Sequence, residues 1–114
     1  REDIAAERVS LSSRHTLTFP ELTIDGRSQQ AFQNGTALAL TRIEFNMLLL
    51  LASNPGVTLS KEDLFSAVWG RDSADTLKVV ANTVSNLRRK MGGSQTYIRT
   101  VRGGYVFSAV SVTA

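Results

Sequence analysis

Between Thr76 and Ala114 the sequence places six basic side chains, Lys78, Arg88, Arg89, Lys90, Arg99 and Arg102, and no carboxylate. Asn82, Thr83, Ser85 and Asn86 lie among them, short side chains that donate and accept hydrogen bonds. Such a set suits a polyanion: cations neutralise phosphates while amides and hydroxyls address base edges. Asparagine can pair with adenine through two hydrogen bonds and arginine with guanine, whereas lysine, serine and threonine mostly fix register on phosphates. On charge alone, a solvated basic face is an equal reading. The whole chain carries +3, but residues 1–59 carry −1 and residues 60–114 carry +4, so the excess sits in the second half.

Other chemistries find little support. The chain has no cysteine, which excludes disulfides, zinc–thiolate sites, iron–sulfur clusters and cysteine nucleophiles. Ser13, His15 and Asp25 could be written down as a triad, but triads are recognised by geometry and nothing in the spacing supplies it. Gly92-Gly93 and Gly103-Gly104 read as turn glycines, since no strand–loop–helix context would let them cradle a phosphate. No enzymatic activity, metal or cofactor is expected. At 12.4 kDa the chain is one domain, and its longest apolar run, Met47 to Ala52, is too short to span a bilayer. The composition is compatible with a reducing cytosol, so a cytoplasmic location is expected. Starting on Arg1 suggests a piece of a longer protein.

The elements that would hold this surface can be read in order. Residues 1–14 are expected to be a linker, residues 15–110 the folded domain and residues 111–114 a tail. Leu17 and Phe19, then Leu22 and Ile24, alternate with polar residues as strands do, and Pro20 marks an edge strand or a bulge. Asp25-Gly26 and Asn34-Gly35 are hairpin signals bracketing a strand near Gln30 to Gln33, and Thr36 to Leu40 is a further strand. Thr41-x-x-Glu44 is a capping box that starts a helix ending at Asn54-Pro55-Gly56. Ser60 caps a second helix that ends at Gly70. A third runs from about Thr76 to Met91, with Asp75 as its cap and Val80, Val84, Leu87 and Met91 as its apolar stripe. Its opposite side presents Lys78, Asn82, Asn86 and Arg89, flanked by Thr83 and Ser85. A closing hairpin from Tyr97 to Phe107 turns at Gly103-Gly104 and carries Arg102 at its tip.

This is the plan of an α+β winged helix-turn-helix: an N-terminal antiparallel β-meander, three helices and a C-terminal β-hairpin wing. Leu40-Thr41-x-x-Glu44-Phe45, Asn54-Pro55-Gly56, Ser60-x-Glu62-x-Leu64, Val68-Trp69-Gly70, Leu87-Arg88-x-Lys90 and Ile98-Arg99-Thr100-Val101-Arg102-Gly103 follow one another. As an ordered set they resemble the DNA-binding effector domain of OmpR/PhoB-type two-component response regulators, over about Leu17 to Ser108. The resemblance implies a four-stranded first sheet, a recognition helix and a wing. It implies DNA contacts at Lys78, Asn82, Thr83, Ser85, Asn86 and Arg89 in the major groove, and at Thr100 and Arg102 on the wing in the minor groove. The loop holding Arg71, Asp72, Ser73 and Asp75 matches the segment that touches RNA polymerase in activators of the family. A direct-repeat operator, a tandem homodimer on DNA and a separate receiver domain are implied as well.

Three places depart from the family pattern. The wing, Arg102-Gly103-Gly104-Tyr105, is one residue short, Ser85-Asn86 stand where many members carry arginines, and Lys78 replaces a common arginine. Fewer phosphate contacts and more direct base reading are expected, without a bidentate guanine contact at Lys78. Arg88 lies about 40° from the apolar stripe, which suggests an ion pair at the core edge, with Glu44 as a partner. Lys90 is expected to cover apolar surface with its stem. Trp69, Tyr105, Phe107, Met47 and Met91 are expected to pack. The leading function is sequence-specific binding of double-stranded DNA in bacterial transcription regulation. The alternative is a winged-helix protein-interaction module that does not bind DNA.

Overall fold

Alternating apolar residues and two tight turns fold the start of the domain into a sheet. A computed structural model describes residues 16–70 and 75–108. The expected linker (1–14), the tail (111–114), Ser13, His15, Arg71, Asp72 and Ser73 lie outside the described residues. Strands β1 (Thr16–Phe19), β2 (Leu22–Asp25), β3 (Gln30–Gln33) and β4 (Thr36–Ala37) pair antiparallel in chain order, so β1 is an edge. Leu22, Ile24 and Ala31 are buried, and Leu17 and Phe19 pack against the same core.

The turns follow from their residues. Phe19 pairs with Leu22, leaving Pro20 and Glu21 as a two-residue turn in which Glu21 has φ 66°. Proline followed by a positive φ is the type II pattern, so Pro20 sits in a turn and not in a strand. Asn34 and Gly35 have φ 52° and 83°, as a type I′ turn requires. Asp25-Gly26, by contrast, is not a tight hairpin turn. Asp25 pairs with Gln30, and a loop from Gly26 to Gln29 intervenes. The Asp25 carboxylate accepts from the Arg27 N–H at 3.0 Å and from Ser28 Oγ at 2.9 Å, which holds this wider loop. The strand expected to reach Leu40 stops at Ala37, because the Leu40 N–H folds back onto the Leu38 carbonyl at 3.0 Å and takes the chain off the sheet.

Three helices follow. Helix α1 (Arg42–Ser53) has the expected capping box between Thr41 and Glu44 and buries Phe45, Met47, Leu48, Leu51 and Ala52. Its wide apolar surface packs against α2 (Lys61–Val68), α3 (Lys78–Met91) and strand β6 (Gly104–Phe107). Ser60 and Asp63 form a second capping box at the start of α2. Among the described residues no helix is long and apolar enough to cross a membrane.

Helix α3 starts two residues later than its sequence suggests, and Asp75 is not its cap. The cap position is Leu77, which is already αR and offers no side-chain cap. Val79 and Val80 N–H groups bond back to the Thr76 and Leu77 carbonyls at 3.1 and 3.0 Å. A tight turn therefore winds directly into the helix, and the Thr76 hydroxyl accepts from the Lys78 N–H at 3.4 Å. A 3₁₀ segment, Gly92–Tyr97, continues beyond α3 where only a stop was expected.

The closing hairpin pairs β5 (Ile98–Val101) with β6, and Leu59 forms an isolated antiparallel bridge to it through two backbone hydrogen bonds with Tyr105. Val101 pairs with Gly104, so the turn is Arg102-Gly103 rather than Gly103-Gly104. Gly104 serves another purpose: at φ 153°, a Cβ there would lie 2.0 Å from the Leu59 carbonyl oxygen. Phe107 stacks on Tyr97 at 5.1 Å between ring centres and meets Phe19 at 4.8 Å. The Tyr97 hydroxyl donates to the Pro20 carbonyl at 2.8 Å. Burial, and secondarily the Glu21 charge, pushes this hydroxyl above its ordinary pKa, which keeps it a donor.

Candidate nucleic-acid interface

The packing of α3 decides what it shows to solvent. Val80, Val84, Leu87 and Met91 are all buried, so the far side of the helix faces out. Lys78, Asn82, Ser85 and Arg89 are exposed there, with Thr83 and Asn86 half-buried beside them. At 1.5 Å per residue, Lys78 and Arg89 lie roughly 16 Å apart along the axis, which a major groove can follow. The first turn of α3 contains no acid, and its last turn holds Arg88, Arg89 and Lys90.

Within this face Arg89 Nη2 donates to Asn86 Oδ1 at 2.9 Å. That bond occupies the carbonyl half of the Asn86 amide. Bidentate pairing to adenine would use the remaining lone pair of that oxygen together with the amide NH2, so the bond to Arg89 fixes how the amide is presented, a coupling not visible from spacing.

The expected partner of Arg88 is wrong. Glu44 pairs instead with Lys90, whose Nζ lies 2.7 Å from Glu44 Oε1. The same oxygen accepts the Thr41 N–H at 2.9 Å, so the capping box and the ion pair share one carboxylate. Lys90 thus contributes its charge and not only its stem. Burial raises the Glu44 pKa, but hydrogen bonds from Lys90 and from the Thr41 N–H outweigh it and hold the carboxyl below its ordinary value. Arg88 turns the other way, toward the wing. Its Nε donates to the Ile98 carbonyl at 3.1 Å and its Nη2 to Thr100 Oγ1 at 2.8 Å. Its guanidinium also stands over the Tyr105 ring, 5.8 Å from the centroid. The helical period places Arg88 at the core edge, but it does not choose between Glu44 on α1 and a backbone carbonyl on β5.

The wing is therefore fastened beside α3. Arg102 is exposed at its turn, and Thr100 is exposed two residues before it. Gln33 escaped the sequence reading altogether: its amide NH2 faces the Met91 carbonyl and its amide oxygen accepts from Gly93 N–H at 3.1 Å. It joins β3 to the C-terminal end of α3, with no signal beyond its place on an inward-facing strand position. Trp69, expected as a core anchor, is half-buried and stacks on Phe65 at 5.7 Å. Of the loop expected to touch RNA polymerase, only Asp75 is described, and it is exposed. No group of three metal-ligating side chains occurs among the described residues.

The family described as "Transcriptional regulatory protein, C terminal" matches residues 35–107. The transcriptional regulatory protein VxrB of Vibrio cholerae is 42% identical over 89 residues, covering 77% of this chain and 36% of that protein. The chain thus spans about a third of that relative. The DNA-binding domain of CpxR from E. coli superposes with a TM-score of 0.73 at 33% identity, covering 84% of this chain and 99% of that one. The Klebsiella pneumoniae RstA DNA-binding domain, in complex with the RstA box, gives a TM-score of 0.73 at 32% identity, covering 82% and 97%. A meander, three helices and a C-terminal hairpin follow one another in the fold these domains share, and the chain belongs to the transcriptional regulatory protein C-terminal family, the winged helix-turn-helix effector domains of OmpR/PhoB type.

Proposed function

We propose that the chain binds double-stranded DNA sequence-specifically, as the effector domain of a bacterial two-component transcriptional regulator. Helix α3 enters the major groove through Lys78, Asn82, Thr83, Ser85, Asn86 and Arg89, and the wing reaches a minor groove through Thr100 and Arg102. One observation carries this reading: the acid-free outward face of α3 stands beside a hairpin fastened to the same helix by Arg88. The RstA domain, similar in fold, is described in complex with its box.

The finer reading follows the family. Residues 15–110 act as the folded unit, on a direct-repeat operator, as a tandem homodimer, in the cytoplasm. The loop of Arg71, Asp72, Ser73 and Asp75 is its surface for RNA polymerase. No catalytic step is assigned to it. A gel shift on random duplex at low salt, followed by selection from a random pool, tests the proposal. Enrichment of one motif, with half-site spacing near a helical turn, is the expected result. No shift at low salt would overturn it and favour a protein-interaction module.

A further inference from the structure

We infer that Arg88 is a positioning residue that sets the wing's reach relative to the recognition helix, so that the minor-groove and major-groove contacts act as one unit. The inference rests on the DNA-binding reading above. A guanidinium half-buried between two elements could contact a phosphate directly, but two of its five N–H donors already point into the wing. Nε is held by the Ile98 carbonyl and Nη2 by Thr100 Oγ1, while the planar group faces the Tyr105 ring. These three contacts reach β5 at the carbonyl of the buried Ile98 and the hydroxyl of the exposed Thr100, and β6 at Tyr105. A planar fork can hold that arrangement, whereas a lysine, with one point charge, cannot satisfy both acceptors and face the ring as well. Thr100 is itself an expected wing contact, and Arg102 lies two residues on. The wing is also short at its turn, so its reach depends on where β5 starts. In this chain that start is set by a residue one position before Arg89, which faces the duplex. The structure thus links the depth of Arg102 to the register of α3 through a single side chain.

The test is a double-mutant cycle on the duplex selected by the native chain, using R88A, R88K and R102A. If the native chain selects no duplex, the DNA-binding reading fails and the cycle is not reached. If it does, R102A is expected to weaken binding about tenfold in the native background, and less than about threefold with R88A or R88K present. R88K should behave like R88A despite keeping its charge, and base preference should relax at the wing-facing positions only. A phosphate contact predicts the opposite: additive losses, rescue by lysine and a salt slope lowered by about one in R88A alone. Additivity in the R88K cycle, whose fold is checked by circular dichroism, overturns the inference even where R88A unfolds.

Discussion

Lys90 Nζ lies 2.7 Å from Glu44 Oε1, joining the last turn of α3 to the first turn of α1. The carboxylate also closes the Thr41 capping box. One oxygen thus serves a helix start and an interhelical pair.

Because the Glu44 pKa is lowered on folding from an ordinary 4.5, its contribution is present above that value. It is lost as pH falls through the folded value. Unfolding free energies of the native chain and E44Q from chemical denaturation should differ by about 1–2 kcal/mol at neutral pH. The gap should close as acidification carries the pH below the ordinary 4.5 and through the lowered folded value. A gap independent of pH would dissociate Glu44 from acid unfolding.

Arg89 and Arg102 are both exposed, one on the helix and one on the wing turn. R89A and R102A should each weaken duplex binding. Where the contact is to phosphate only, the loss is uniform across sequences and the log–log salt slope falls by about one. Titrations at several salt concentrations measure both.

The Arg89–Asn86 hydrogen bond gives N86A two effects. The amide is removed from the base-reading set, and Arg89 is freed. The preferred base at one operator position should change, with selection from a random pool as the readout. An unchanged motif would take Asn86 out of the reading set.

Gly104 has no room for a side chain, since a Cβ would press on the Leu59 carbonyl at 2.0 Å and φ is 153°. G104A should cost about 2–4 kcal/mol by chemical denaturation, because both backbone strain and a lost bridge follow. G103A, at φ 94° but with open space around it, should cost less.

Much of this architecture was legible from periodicity and capping alone. The Thr41 capping box, the Ser60 cap, the α3 stripe and the Asn34-Gly35 turn depend on residues close in sequence, where local physics decides. The family resemblance supplied the recognition helix and wing as functional parts. What escaped were choices between distant partners. Arg88 and Lys90 both could have met Glu44, and only packed helices settle which one reaches it. Asp25-Gly26 looked like a tight turn because the two acceptor oxygens of Asp25 that stabilise a wider loop leave no trace in a dipeptide. The Arg102-Gly103 turn was misplaced by one residue because either glycine of the pair tolerates a positive φ, and the Leu59 bridge decides between them.

The aromatic cluster has a kinetic consequence for the chain. Tyr97 reaches Pro20 across 77 residues, and Phe19 rests on Phe107. The seam between the earliest and latest strands therefore closes only after nearly the whole domain has been synthesised. A fragment trimmed to the family-matched span 35–107 would lose Phe19 and Pro20 and leave the Tyr97 and Phe107 rings facing water along the base of the wing. Cleavage within the meander would strip packing from the base of the hairpin while leaving Arg102 and the outward residues of α3 untouched in sequence.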